Sequence, residues 1–137
     1  MKEKLSLINF RTSLLYLFLV TIFIAFISPG HSLIGKWSIL NLDGTPSGEY
    51  VDFKKDHTYE VSLPNGQIGE RGNYLLKGSV FSIKNIKDVC GMGYWGKYNL
   101  TFYGGDSIHF ALINDTCSAR RMDMVGFNPG LKRYLKK

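Results

Sequence analysis

From Leu33 onward the apolar residues of this chain alternate with polar ones, and no stretch keeps a helical period beyond roughly two turns. Tyr59, Val61 and Leu63 flank Glu60 and Ser62. Tyr98, Leu100 and Phe102 flank Asn99 and Thr101, and Ile108, Phe110 and Leu112 flank His109 and Ala111. A period of two sends successive side chains to opposite faces, which is the pattern of half-buried antiparallel strands. Turn signals separate the runs, at Lys55-Asp56-His57, Pro64-Asn65-Gly66, Lys77-Gly78-Ser79 and Gly104-Gly105-Asp106. The pattern predicts eight strands, near 34–42, 49–54, 58–63, 72–77, 80–86, 96–103, 107–113 and 120–127.

A short repeat supports that count. Gly48-Glu49-Tyr50, Gly72-Asn73-Tyr74 and Gly96-Lys97-Tyr98 recur every 24 residues, each at the expected start of a strand, turn, strand unit. A flat meander of hairpins would leave two exposed hydrogen-bonding edges, and joining the eighth strand to the first removes them. The fold class expected is therefore all-β, an eight-stranded antiparallel up-and-down barrel whose interior is filled by side chains or holds one small ligand.

The segment before the barrel is of another kind. Lys2, Lys4 and Arg11 outnumber Glu3, and Leu14 to Ile27 is an apolar run of fourteen residues broken only by Tyr16 and Thr21. Ser28-Pro29-Gly30-His31-Ser32 ends the run and places small residues at Gly30 and Ser32, three and one positions before a cleavage after Ser32. Residues 1–32 are thus expected to be a signal peptide and 33–137 the exported domain, periplasmic or extracellular. An uncleaved anchor is the alternative, although Thr12 to Ser28 is seventeen residues against the roughly twenty that span a bilayer. After cleavage no stable membrane span is expected.

Removing that segment changes the meaning of the net charge of +6. Arg120 to Lys137 holds six basic residues and one acid, whereas Leu33 to Ala119 holds eight basic and nine acidic residues. The basicity is a tail, not the basic stripe interleaved with aromatics that a nucleic-acid binder needs, so no nucleic acid is expected as a partner. Cys90 and Cys117 are the two cysteines of the whole chain, and both follow the export signal. An oxidising compartment favours their disulfide, worth about 3 to 4 kcal/mol for a loop of that length. In an up-and-down barrel both lie on one rim, in the fifth and seventh connections. A free catalytic thiol is the alternative, but no base stands near either cysteine in the sequence.

Gly35-Lys36-Trp37 at the start of the first strand, Cys117-Ser118-Ala119-Arg120 and Leu131-Lys132-Arg133 complete a pattern. With the export signal and the strand meander, the chain resembles the lipocalins, and in particular the short bacterial lipocalin-like domains of the calycin type. The resemblance implies a structural set of Gly35, Trp37 and an arginine packed on Trp37. Arg133 fits that role better than Arg120, which is expected on the opposite rim. Gly104-Gly105-Asp106 stands where lipocalins usually carry Thr-Asp-Tyr.

Candidate ligand-binding residues follow from position. Arg120 shares parity with Met122 and Met124, so an inward Met122 carries the Arg120 guanidinium inside the rim, where it could hold an acidic head group. The alternative is that Arg120 pairs with Asp115 or turns to solvent. Tyr74 and Tyr98, with Tyr50 and Tyr59, are pocket-lining candidates or plain wall residues. Trp95, in the Gly-rich stretch 91–96, is either exposed at the rim or packed over the disulfide. No metal site, catalytic set or cofactor is expected, and so no enzyme: the histidines share no strand face, and neither a Cys-x-x-Cys nor a Gly-x-Ser-x-Gly motif occurs. Two functions remain open. One is a monomeric barrel binding a small apolar or amphipathic ligand, a possible small hydrophobic molecule. The other is a filled barrel acting through its surface as an inhibitor or envelope component, which the bulk of Trp37, Tyr59, Phe81, Tyr98, Phe102 and Phe110 favours.

Overall fold

The computed structural model describes residues 31–86, 93–126 and 130–134. Of the two units into which the chain divides, Met1–Ser32 and Leu33–Lys137, the second holds every described strand. These are β1 (Gly35–Leu40), β2 (Pro46–Phe53), β3 (Thr58–Ser62), β4 (Ile68–Lys77), β5 (Val80–Asn85), β6 (Gly96–Tyr103), β7 (Ser107–Asn114) and β8 (Leu131–Arg133). Each strand pairs antiparallel with its neighbours in sequence, and β8 pairs with both β7 and β1. The sheet is a closed up-and-down barrel of eight antiparallel strands, as the alternation predicts.

Side-chain parity decides which face is core. Val51 and Phe53, Phe81 and Ile83, Tyr98 and Leu100, and Ile108 and Phe110 point inward in pairs two residues apart and are buried. Aspartates set two of the turns between strands: Asp43 Oδ1 accepts from Thr45 N at 2.9 Å, and Asp56 Oδ1 accepts from Thr58 N at 3.0 Å.

The expected eighth strand at 120–127 is a correction. Ser118–Arg121 form a short α-helix, α1, continued by a π-helical turn over Met122–Gly126, and the strand that closes the barrel comes later, at Leu131–Arg133. Local bonding overrides the alternation of Arg120, Met122 and Met124. Cys117 caps α1, its Sγ accepting from Arg120 N at 3.4 Å and its carbonyl accepting from Arg121 N at 3.0 Å. The Arg121 guanidinium donates to Asp115 O at 2.8 Å and tightens the same turn. Met122 is consequently 46% exposed rather than facing the barrel interior.

The repeat is a second correction. β4 begins at Ile68, so Gly72 lies inside a strand instead of opening one. Its tyrosines are not equivalent either. Tyr74 and Tyr98 are buried, whereas Tyr50 sits on the outside, edge-on to Tyr134 with ring centroids 4.8 Å apart and with Lys36 Nζ 5.3 Å from its own centroid.

Connections β1–β2, β3–β4, β5–β6 and β7–β8 share one rim, the upper one, and the other three share the lower rim. At the lower end Trp37 is fully buried, its Nε1 donating to Leu33 O at 2.7 Å. The Arg133 guanidinium lies over the Trp37 ring at 3.8 Å and donates to Ile34 O at 2.9 Å. Gly35 makes this closure possible. Its φ of +112° is open to glycine, and a Cβ there would crowd Arg133 Nη1 at 3.2 Å.

Candidate functional site

β8 spans three residues, pairing Ser107 and Ile108 of β7 with Lys132 and Leu131. Among the described residues the upper part of β7, Ala111–Asn114, therefore has no ladder partner on that side. The π turn packs beside β7 in its place. At this end the barrel interior holds a partly open cavity of about 350 Å³. Its floor is aromatic, made by Phe53, Tyr59, Phe81 and Phe110, with Phe53 to Phe81 at 5.7 Å and Phe81 to Phe110 at 5.0 Å between centroids. Val51, Val61, Ile83 and Leu131 line the walls, and Met124 of the π turn faces the cavity from above.

The polar side chains gather at the upper end. Glu49, Glu70, Arg120 and Asp123 reach the cavity. Arg120 is 4% exposed and is engaged on several sides. Its Nε donates to Asp115 Oδ2 at 2.6 Å and its Nη2 to Asp115 Oδ1 at 2.8 Å, a bidentate ion pair. Nη1 donates to Asn85 Oδ1 at 3.1 Å, and Nη2 also reaches Tyr94 O at 3.2 Å. Asp115 further accepts from Tyr98 OH at 2.5 Å and from Cys117 N at 2.8 Å. Gly96 supplies the room, because a Cβ there would collide with the Asp115 carboxylate and Arg120 Nε. On the other side of Asn85 the chain of bonds continues: its amide nitrogen donates to Glu70 Oε1, which also accepts from Tyr59 OH at 2.7 Å.

Electrostatics sorts these carboxyls into two kinds. Burial pushes Asp115 up, but hydrogen bonds from Arg120, Tyr98 and Cys117 N outweigh it and hold the group below its usual range. Burial and the neighbouring Asp115 together raise the Tyr98 hydroxyl, which stays protonated as a donor. Glu70 goes the other way. Burial raises it, Asp123 raises it further, and the bonds from Tyr59 and Asn85 and the charge of Arg120 do not compensate. Asp123, exposed on the π turn, is raised as well by partial desolvation of its carboxyl. Among the described residues no three His, Cys, Asp or Glu side chains are grouped to hold a metal ion.

Of the candidates read from the sequence, the cavity brings in Arg120 and Tyr59. Arg120 arrives on α1, paired with Asp115. Tyr98 is buried behind the cavity as a donor to Asp115. Tyr74 is buried toward the lower rim, donating to Lys54 O at 2.7 Å. Trp95 is 37% exposed at the upper rim, with Lys84 Nζ 5.0 Å from its ring centroid. Cys117 is buried, and Cys90 lies outside the described residues, so their pairing falls there too.

Glu49, Glu70, Asn85 and Asp123 went unread. Parity carried a signal for two of them. Glu49 shares a face with Val51 and Phe53, and Glu70 shares one with Gly72 and Tyr74 once β4 is extended back to Ile68. A carboxylate on an inward parity is costly unless it is satisfied, so it marks a site worth inspecting.

Among the described residues no helix is long and apolar enough to cross a membrane. No protein-family model matches the chain, and no curated protein matches it significantly. Among solved structures the chain is similar to the crystal structure of a lipocalin-like protein from Bacteroides uniformis, at 19% identity and a TM-score of 0.47, over 74% of this chain and 98% of that one.

Proposed function

We propose that this protein is an exported carrier that holds one small apolar or amphipathic molecule inside its barrel. The observation that supports this is the cavity: about 350 Å³, aromatic below and polar only at its upper end, within the size range of small-molecule sites, about 300 to 1,000 Å³. In the same reading residues 1–32 are a signal peptide removed on export, and Cys90 pairs with Cys117 in the periplasm or outside the cell. The protein acts as a monomer without a cofactor and without chemical turnover.

The experiment is native mass spectrometry of the protein recovered from its exported fraction, followed by titration with an apolar fluorescent probe. A retained small molecule, or saturable binding of one probe per chain, is the expected result. Protein that arrives empty and binds no probe sinks the reading. The function then passes to the outer surface, where Ile86, Tyr94, Leu112 and Ile113 are exposed near the upper rim and suit an inhibitor or envelope component.

A further inference from the structure

The cavity also carries information about the charge of what enters it. Its walls and floor are apolar, so a ligand gains most of its affinity there from its hydrocarbon part. At the upper end three carboxylates face the space, Glu49 from β2, Glu70 from β4 and Asp123 from the π turn. Arg120 is the single basic side chain among the described lining residues, and Asp115 holds it through both carboxylate oxygens. A ligand carboxylate or phosphate at this end would meet like charge and would have to compete with Asp115 for the guanidinium. The acidic head group that the sequence suggested for Arg120 therefore finds no open cation among the described residues.

Resting on the ligand-binding reading above, we propose that the cavity takes a cationic amphiphile. Its hydrocarbon chain packs on Phe53, Phe81 and Phe110, and its ammonium lies at Glu70 and Asp123. Tyr59 OH and Asn85 both donate to Oε1 of Glu70, which fixes the carboxylate at the edge of the cavity. An ammonium offers three donors and a compact charge, and a carboxylate in these partly desolvated surroundings attracts it more strongly than one in water. The groups facing Glu70 are Tyr59 from β3, Asn85 from β5, Arg120 from α1 and Asp123 from the π turn, with Glu49 of β2 on the same cavity. Burial raises Glu70 and partial desolvation raises Asp123, and an adjacent ammonium draws both back down. Binding of the cation accordingly releases protons, and affinity falls as the pH is lowered through the titration of these two groups.

The test uses protein isolated from cells expressing the full-length chain, loaded with an apolar fluorescent probe and titrated with three molecules of equal chain length: decylamine, decanol and decanoate. At neutral pH decylamine is expected to displace the probe at a concentration about tenfold or more below that of decanoate, with decanol between them. Glu70→Gln keeps the acceptor for Tyr59 and Asn85. It should remove most of the amine's advantage, read as the ratio of the decylamine to the decanol displacement concentration on the same variant, and Asp123→Asn should move that ratio in the same direction. Equal displacement by all three molecules, or a preference for decanoate, overturns the assignment of charge and leaves the carrier reading standing. Failure of the probe to bind protein that carries no retained molecule overturns both.

Discussion

The two ends of this barrel are built from the same alternating strands and reach opposite results. At the lower end Trp37 is fully buried and packed against Leu33, Phe102 and Arg133. At the upper end the eighth strand stops at Leu131, a helical segment replaces it, and the interior remains open under carboxylates. A filled barrel and a ligand-holding barrel were alternatives when only the residue types were known. The molecule is one at each end, so packing energy and binding capacity are separated along the barrel axis and can be perturbed independently.

The largest effect expected is at the sealed end. Trp37→Ala removes a fully buried indole, its bond to Leu33 and the surface on which Arg133 lies, and should cost about 3 to 5 kcal/mol in urea unfolding. Asp115→Asn is next. It leaves the buried Arg120 guanidinium without its ionic partner, a change that costs about 3 kcal/mol, toward the lower end of the range for a broken buried pair because one acceptor oxygen survives. If Trp37→Ala cost less than Asp115→Asn, the upper network rather than the lower seal would dominate stability. The comparison would then reverse.

Overpacking measures the contrast directly. Leu100 is buried in the filled part, and Leu100→Phe should destabilise by about 1 to 3 kcal/mol. Val61 borders the cavity, so Val61→Phe has space to enter and should change stability by less than about 1 kcal/mol. The same Val61→Phe variant should lose apolar probe binding. Equal costs at the two positions would mean that the cavity collapses in solution.

How much of this could be read from the chain follows the range of the interactions. Strands β1 to β7 were legible because parity and turn residues are local, and the Asp56 to Thr58 turn is a bond between residues two apart. The eighth strand was not, because Arg120, Met122 and Met124 alternate as a strand would while Cys117 and Asp115 bind the same segment into a helix. The pairing of Arg120 with Asp115 was visible as one alternative, five residues apart in the chain. The parity of Glu70 hinted at an inward carboxylate, but the site as an assembly was not visible. It joins β3, β4, β5 and the π turn, and nothing local to Glu70 says that Asn85 and Asp123 stand beside it.

The smallest predicted effect distinguishes the two kinds of carboxyl at the open end. Asp115 is held below its usual value of 3.8, so its contribution to stability is fully present above that value and is lost as the pH falls through its lower, folded-state titration. Glu70 is held above its usual value of 4.5, so the sign is opposite: the folded state favours the protonated form, and stability declines as the pH rises from that value through the folded-state titration. Glu70→Gln cannot ionise and escapes that decline. Urea unfolding of wild type and Glu70→Gln across the acid range should therefore coincide at low pH and separate as the pH rises, with the variant the more stable at neutrality. The cost of Trp37→Ala should stay flat over the same range, since the indole carries no group that titrates there. A gap between wild type and Glu70→Gln of the reverse sign would place the Glu70 carboxylate in a stabilising ion pair. Its exposure to an incoming ammonium would then no longer follow from the cavity.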